Sequence, residues 1–193
     1  MGERDDPAGD RSVAAMPEGL WTQPPVEVPD LDMEQVMRVT EPATLVYTYT
    51  PGLAQTRFLR GLQEGRILGE RAEGATDVYV TGRGMDPVLG RATTESVEVG
   101  PNATVTAFCV VHIGFGEKAP PTPFVSALIR PDGAAVSLYG TVLGIPYDEV
   151  RIGMRVRPVW LPESERSATF ECITHWEPID EPDVPAEELK GHM

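Results

Sequence analysis

The chain has 193 residues, with 30 acidic against 16 basic side chains and a net charge of -14. On average such a chain is repelled by phosphate backbones and anionic membrane surfaces, which argues against nucleic-acid and lipid-surface partners. Hydrophobic residues make up 41%, enough for a packed core, while 19 Gly and 19 Pro favour many short strands and turns over long helices.

Residues 1–44 are acidic, Pro-rich and without periodic pattern, so they gain too little burial to fold alone. Within them Trp21 suits an anchor onto a partner or onto the chain's own domain, and 32–37 suits a helical turn or two. No apolar signal core opens the chain, and no run is long enough to span a bilayer. Two cysteines make no disulfide framework. The expectation is a soluble cytoplasmic protein with reduced thiols.

Leu45 to Tyr49 alternates as a short strand stopped by Pro51-Gly52. From Thr56 a short amphipathic helix is predicted, with Phe58, Leu59 and Leu62 on one face and Gly65 just past its end. Strands follow at 67–71, 77–81, 95–99, 103–113, 124–130, 135–142, 154–161 and 168–176. Asp132-Gly133 reads as a hairpin turn, and Asp148-Glu149 as a connection or the start of a helical turn. Short strands with turn signals at this spacing indicate a sandwich or barrel.

The pairs Cys109-x-x-His112 and Cys172-x-x-His175 resemble a zinc site, since zinc takes four such ligands. Both lie in strand-like runs, where residues three apart point to opposite faces. Cys109 shares parity with Val105 and Val111, and Cys172 with Phe170 and Trp176, so both are expected as core thiols. No activating base adjoins either cysteine, and there is no Gly-x-Ser-x-Gly elbow or phosphate-cradling Gly-rich loop. Gly114-Phe115-Gly116 reads as a strand-end turn. A free-standing enzyme therefore lacks a nucleophile, base or metal.

Arg151, Arg155 and Arg157 form the most distinct basic cluster, with Arg155 and Arg157 facing away from Met154, Val156 and Trp160. They suit either an exposed barrel face or contact with an anion such as a CoA phosphate. Arg57, Arg60 and Arg66 flank the short helix, whose apolar face would suit a protein interface.

The run from Phe58-Leu59-Arg60-Gly61-Leu62 to Gly69-Glu70-Arg71 resembles the opening of acyl-CoA-associated proteins that join a rubredoxin-like zinc ribbon to an OB fold. Val78-Tyr79-Val80, Arg83-Gly84, 127–133 and 150–156 continue the resemblance in order, over roughly 47–178. It implies a mainly β chain: a short helix and zinc-ribbon-like hairpin module at 45–100, an OB barrel at 101–178 and an acidic tail at 179–193. The family's four ligand positions hold Ala72, Ala75, Asp86 and Leu89, three of which cannot bind zinc, so the ribbon is expected to be degenerate and metal-free.

By this resemblance the chain is expected to be a non-catalytic accessory subunit without a cofactor, bound to a thiolase-like, lipid-transfer-type acyl-CoA enzyme. An aldolase of steroid side-chain breakdown is favoured over a hot-dog hydratase or degradative thiolase. The interface candidates are Tyr47, Phe58, Leu59, Arg60, Leu62, Arg66 and Tyr79; Arg151, Arg155 and Arg157 are candidates for acyl-CoA near that interface. Partner contacts, in place of zinc, are expected to hold the ribbon together. An autonomous OB module binding nucleic acid or oligosaccharide is the other class, disfavoured for nucleic acid by the charge and by the lack of interleaved Lys and aromatic residues.

Overall fold

The structure, a computed structural model, describes residues 48–114, 120–189 and 191. The expected arm at 1–44, with Trp21 and the turn at 32–37, lies outside them, as do Leu45, Val46, Tyr47 and the Phe115-Gly116 part of the expected turn. Thr48 and Tyr49 are exposed and belong to no strand.

Helix α1 (Leu53–Gln63) begins three residues before the expected start, because Gly52 takes an extended N-cap conformation and its carbonyl accepts from Thr56 N–H at 2.9 Å. Its buried stripe is Phe58, Leu59 and Leu62. Gly65, at φ 77°, turns the chain out of the helix in a conformation that a side chain would strain.

A three-stranded sheet follows, in the order β1-β3-β2, from β1 (Ile67–Ala72), β2 (Met85–Asp86) and β3 (Arg91–Val99). β1 and β3 are antiparallel, with Ile67 opposite Val99. The strand expected at 77–81 is reduced to one bridge, in which Tyr79 N–H donates to Glu70 C=O at 2.8 Å and the reverse bond is 2.9 Å. Val78, Tyr79 and Val80 are all buried, so the run is covered on both of its faces. Thr81 (φ 75°) and Gly82 (φ 65°) then swing the chain against the start of α1. A Cβ on Gly82 would lie 2.5 Å from the Ala54 carbonyl carbon, so this close approach needs glycine.

The remaining strands form a closed barrel: β4 (Ala103–Val111), β5 (Phe124–Pro131), β6 (Leu138–Val142), β7 (Arg155–Trp160) and β8 (Ile173–Pro178), in the order β4-β5-β6-β8-β7. This is the OB arrangement expected from the sequence. Its interior is packed by Val105, Val125, Ile129, Val156 and Trp176, all at most 2% exposed. Each such side chain contributes about 1.5–3 kcal/mol relative to leaving it in water. Asp132-Gly133 turns the chain after β5, with Gly133 at φ 84°. Tyr147–Glu149 is a short 3-10 turn.

Two expected strands are shorter than their apolar runs. β6 starts at Leu138 rather than Ala135, and β8 starts at Ile173 because Phe170–Cys172 forms a 3-10 turn. The acidic segment after 178 folds back on the barrel. Ile179 N–H donates to Arg155 C=O at 3.1 Å, Val184 N–H donates to Gly153 C=O at 2.9 Å, and Leu189 is fully buried.

Candidate functional site

The positions that the resemblance aligned with zinc ligands take part in packing and turn hydrogen bonds. Ala72 is fully buried at the end of β1, and Ala75 N–H donates to the Ala72 carbonyl at 3.0 Å, closing a tight turn. Asp86, 1% exposed, accepts through Oδ1 from Val88 N–H at 2.8 Å and Leu89 N–H at 2.9 Å. Its backbone carbonyl accepts from Gly90 N–H at 2.9 Å. One carboxylate thus organises the 86–90 turn. Among the described residues, no cluster of three or more His, Cys, Asp or Glu side chains is placed to hold a metal ion.

A second buried carboxylate braces the module. Glu70, 2% exposed, accepts from Thr93 Oγ1 at 2.7 Å and pairs with Arg57 at 3.3 Å. The Tyr79 hydroxyl lies 3.5 Å from Asp77. Burial, then the charges of Asp86 and Asp77, raise its pKa above the ordinary 10.0.

Of the interface candidates, Phe58, Leu59, Leu62 and Tyr79 are buried inside the chain's own fold, and Tyr47 lies outside the described residues. Arg60 is exposed, and Arg66 pairs with Glu64 and, at 3.6 Å, with Glu98. The apolar groups that reach the surface here are Leu53 (68% exposed), Met85, Val88 (77%) and Leu89. Sequence reasoning missed them as a group. The signal was available in Pro87-Val88-Leu89-Gly90, where apolar residues sit in a turn flanked by Pro and Gly.

Each arginine of the Arg151, Arg155 and Arg157 cluster meets a carboxylate. Arg155 is held by Asp132 and Glu181, Arg151 by Asp183, and Arg157 by Glu177 at 2.5 Å. Arg155 and Arg157 do face away from fully buried Val156, as strand parity predicts. Hydrogen bonding to Asp183 raises the Arg151 guanidinium further above its ordinary range. Asp183 and Glu181 come from the acidic tail, so the chain's own C-terminal segment neutralises two of these cations.

The two cysteines have different fates. Cys172 is fully buried, its thiol donating to the Ser167 carbonyl at 2.8 Å, though it lies in the 3-10 turn rather than a strand. Its expected core neighbour Phe170 is 51% exposed and stacks on Phe58 at 5.4 Å between ring centroids. The expectation for Cys109 fails: it is exposed. Thr106 is an extra residue in β4, since Val105 faces Ile129 while Ala107 faces the adjacent Leu128. Such a bulge inverts the parity beyond it and turns Cys109 outward, opposite Ser126. His112 is exposed beyond β4, edge-on to Tyr147, and His175 accepts or donates through Nδ1 to Thr174 Oγ1 at 2.9 Å.

A cleft of about 360 Å³ opens along the seam where β6 and β8 run side by side. These strands are parallel and paired only at Val142 opposite Trp176. Phe58, Leu62, Phe170 and Trp176 supply its aromatic and aliphatic lining.

Residues 96–161 match the family model of the ChsH2 C-terminal OB-fold domain. Among solved structures the chain is similar to one titled as an Ltp2-ChsH2(DUF35) aldolase, with 20% identity and a TM-score of 0.53, covering 68% of this chain and 98% of that one. It is also similar to a protein of unknown function from the DUF35 family of Sulfolobus solfataricus, with 18% identity and a TM-score of 0.52, covering 66% and 87%. No curated protein matches the chain. No helix among the described residues is long and apolar enough to cross a membrane.

Proposed function

We propose, from a chain whose barrel is an OB fold of the ChsH2 C-terminal type, that it is a non-catalytic accessory subunit completing a thiolase-like acyl-CoA aldolase. The observation that supports the reading is the fold likeness, in which 68% of this chain covers 98% of the neighbour titled Ltp2-ChsH2(DUF35) aldolase. The reaction favoured for the complex is retro-aldol carbon–carbon cleavage of a hydroxyacyl-CoA, in steroid side-chain or related acyl-CoA degradation.

The described residues are consistent with that role. The polar groups buried in the small sheet, Glu70 and Asp86, are engaged in holding turns and strands rather than aimed at a shared reacting point. Exposed Leu53, Met85, Val88 and Leu89, with Arg60 nearby in sequence on α1, make the small sheet the docking element in this reading. Apolar groups with an arginine are what interface cores favour. An acyl-CoA phosphate reaching Arg151 or Arg157 has to displace Asp183 or Glu177, so CoA contacts there belong to the assembled complex.

Co-expression with a thiolase-like aldolase protein, followed by size analysis, tests the reading. The expected result is a stable heteromer that a double charge substitution, Val88→Asp with Leu89→Asp, disperses. A chain that stays monomeric beside that protein, with aldolase turnover unaffected by its presence, would remove the reading's support.

A further inference from the structure

The seam between β6 and β8 is where the barrel is least closed. Residues 137–141 and 173–176 all line the cleft consecutively. On one face of a strand only alternate residues would do so. The cleft therefore lies between two strand edges rather than over one sheet face. Its size, about 360 Å³, falls within the range of about 300–1,000 Å³ of small-molecule sites.

Its lining selects the ligand. Among the described lining residues none is Asp, Glu, Lys or Arg, in a chain with 24% charged residues. The titratable imidazole in the lining is His175, and while it is neutral a charged ligand would lose its hydration there without a countercharge. Trp176 is 2% exposed, and its indole N–H has no hydrogen-bond partner among the described residues. Gly140 leaves this group uncovered: a Cβ there would sit 2.6 Å from the indole nitrogen. Among the described residues no buried side-chain nitrogen or oxygen lacks a partner, so this N–H keeps accessible surface at the cleft, where an acceptor on an occupant can meet it.

We propose that this cleft is a binding site for a compact, uncharged, largely apolar small molecule carrying one carbonyl oxygen, which accepts from the Trp176 indole N–H. The rings of Phe58 and Phe170 flank its apolar body. The site is independent of the partner proposed above, since every group in it belongs to this chain.

The test uses the full chain with three probes: 1-acetylnaphthalene, 1-ethylnaphthalene and 1-naphthoate. Equilibrium dialysis measures affinity, and the three indole cross-peaks, one for each Trp, are followed by ¹⁵N-resolved NMR. The acetyl compound is expected to bind saturably, one per chain, and to shift a single buried indole resonance. The ethyl compound, lacking the acceptor, is expected to bind several-fold more weakly, and the naphthoate more weakly still. Thr174→Trp, at an exposed position, and Thr141→Trp each plug the cleft and are expected to weaken binding about tenfold or more. Two plugs are used so that one folded variant suffices. Absence of saturable binding, equal affinity for the acetyl and ethyl compounds, full affinity for the naphthoate, or unchanged binding in a folded plug variant would each overturn the proposal.

Discussion

Arg155 donates to both carboxylate oxygens of Asp132 at 2.6 Å, joining β7 to the turn that follows β5. The same guanidinium donates to Glu181 of the C-terminal segment at 2.9 Å and to Thr104 at 2.8 Å, with only 11% of the side chain exposed. One arginine thus ties three separated stretches of chain together. Sequence reading offered it to an anionic ligand, but its fork is filled by intramolecular acceptors.

Arg155→Met should therefore destabilise the chain by about 1–3 kcal/mol, measured by urea unfolding. The lower part of the range is favoured, because Asp132 and Glu181 are 47% and 41% exposed and regain water when the arginine is lost. Hydrogen bonding to Asp132, then to Glu181, raises the guanidinium above its ordinary range. A raised folded-state pKa gives stability fully present below the ordinary arginine range and lost only as pH rises through the higher folded value. The arginine's own ionisation therefore adds no pH dependence near neutrality. Limited proteolysis should cut within 179–189 faster in the variant.

Tyr79 supplies a titration within reach. Its pKa is raised by burial first, then by Asp86 and Asp77. In the unfolded chain it ionises near the ordinary value of 10.0, while the folded chain holds the proton to higher pH. The folded state then binds more protons, so stability falls as pH rises above about 10. Thermal unfolding of wild type and Tyr79→Phe should show this alkaline loss only in the wild type. An equal slope in both would assign the loss to another group.

Asp86 organises the 86–90 turn by accepting from two backbone N–H groups. Asp86→Ala removes the acceptor from both N–H groups, which sit in an exposed turn, and should cost about 1 kcal/mol. Asp86→Asn keeps an amide oxygen at the same place and should recover most of that loss. Amide exchange at Val88 and Leu89 checks the assignment directly, with fast exchange in Asp86→Ala and retained protection in Asp86→Asn.

The sequence reveals what local periodicity controls. The buried stripe of α1, the alternation of Arg155, Val156 and Arg157, and the barrel class all follow from spacing that the structure keeps. It hides what depends on nonlocal contacts. The Val78-Tyr79-Val80 run has strand composition, but left-handed Thr81 and Gly82, set by the approach of α1, cut its pairing to one bridge. The pairing of Arg151 and Arg155 with Asp183 and Glu181 was invisible because partners some 30 residues apart share no periodic signal. The seam cleft likewise comes from two strands distant in sequence, β6 and β8, diverging after one bridge.

The bulge at Thr106 makes the sharpest test of that distinction. Uninterrupted alternation would bury Cys109, whereas the observed register exposes it opposite Ser126. A thiol needs solvent access, as well as ionisation, to react with a disulfide reagent. Titration with 5,5′-dithiobis(2-nitrobenzoic acid) under native conditions should therefore release one equivalent promptly. The second should appear only at the rate of unfolding, because Cys172 is fully buried and donates to Ser167. Cys109→Ser should abolish the prompt equivalent with little change in stability, as expected for an exposed position. Two slow equivalents would place Cys109 inside the barrel and remove the bulge from β4.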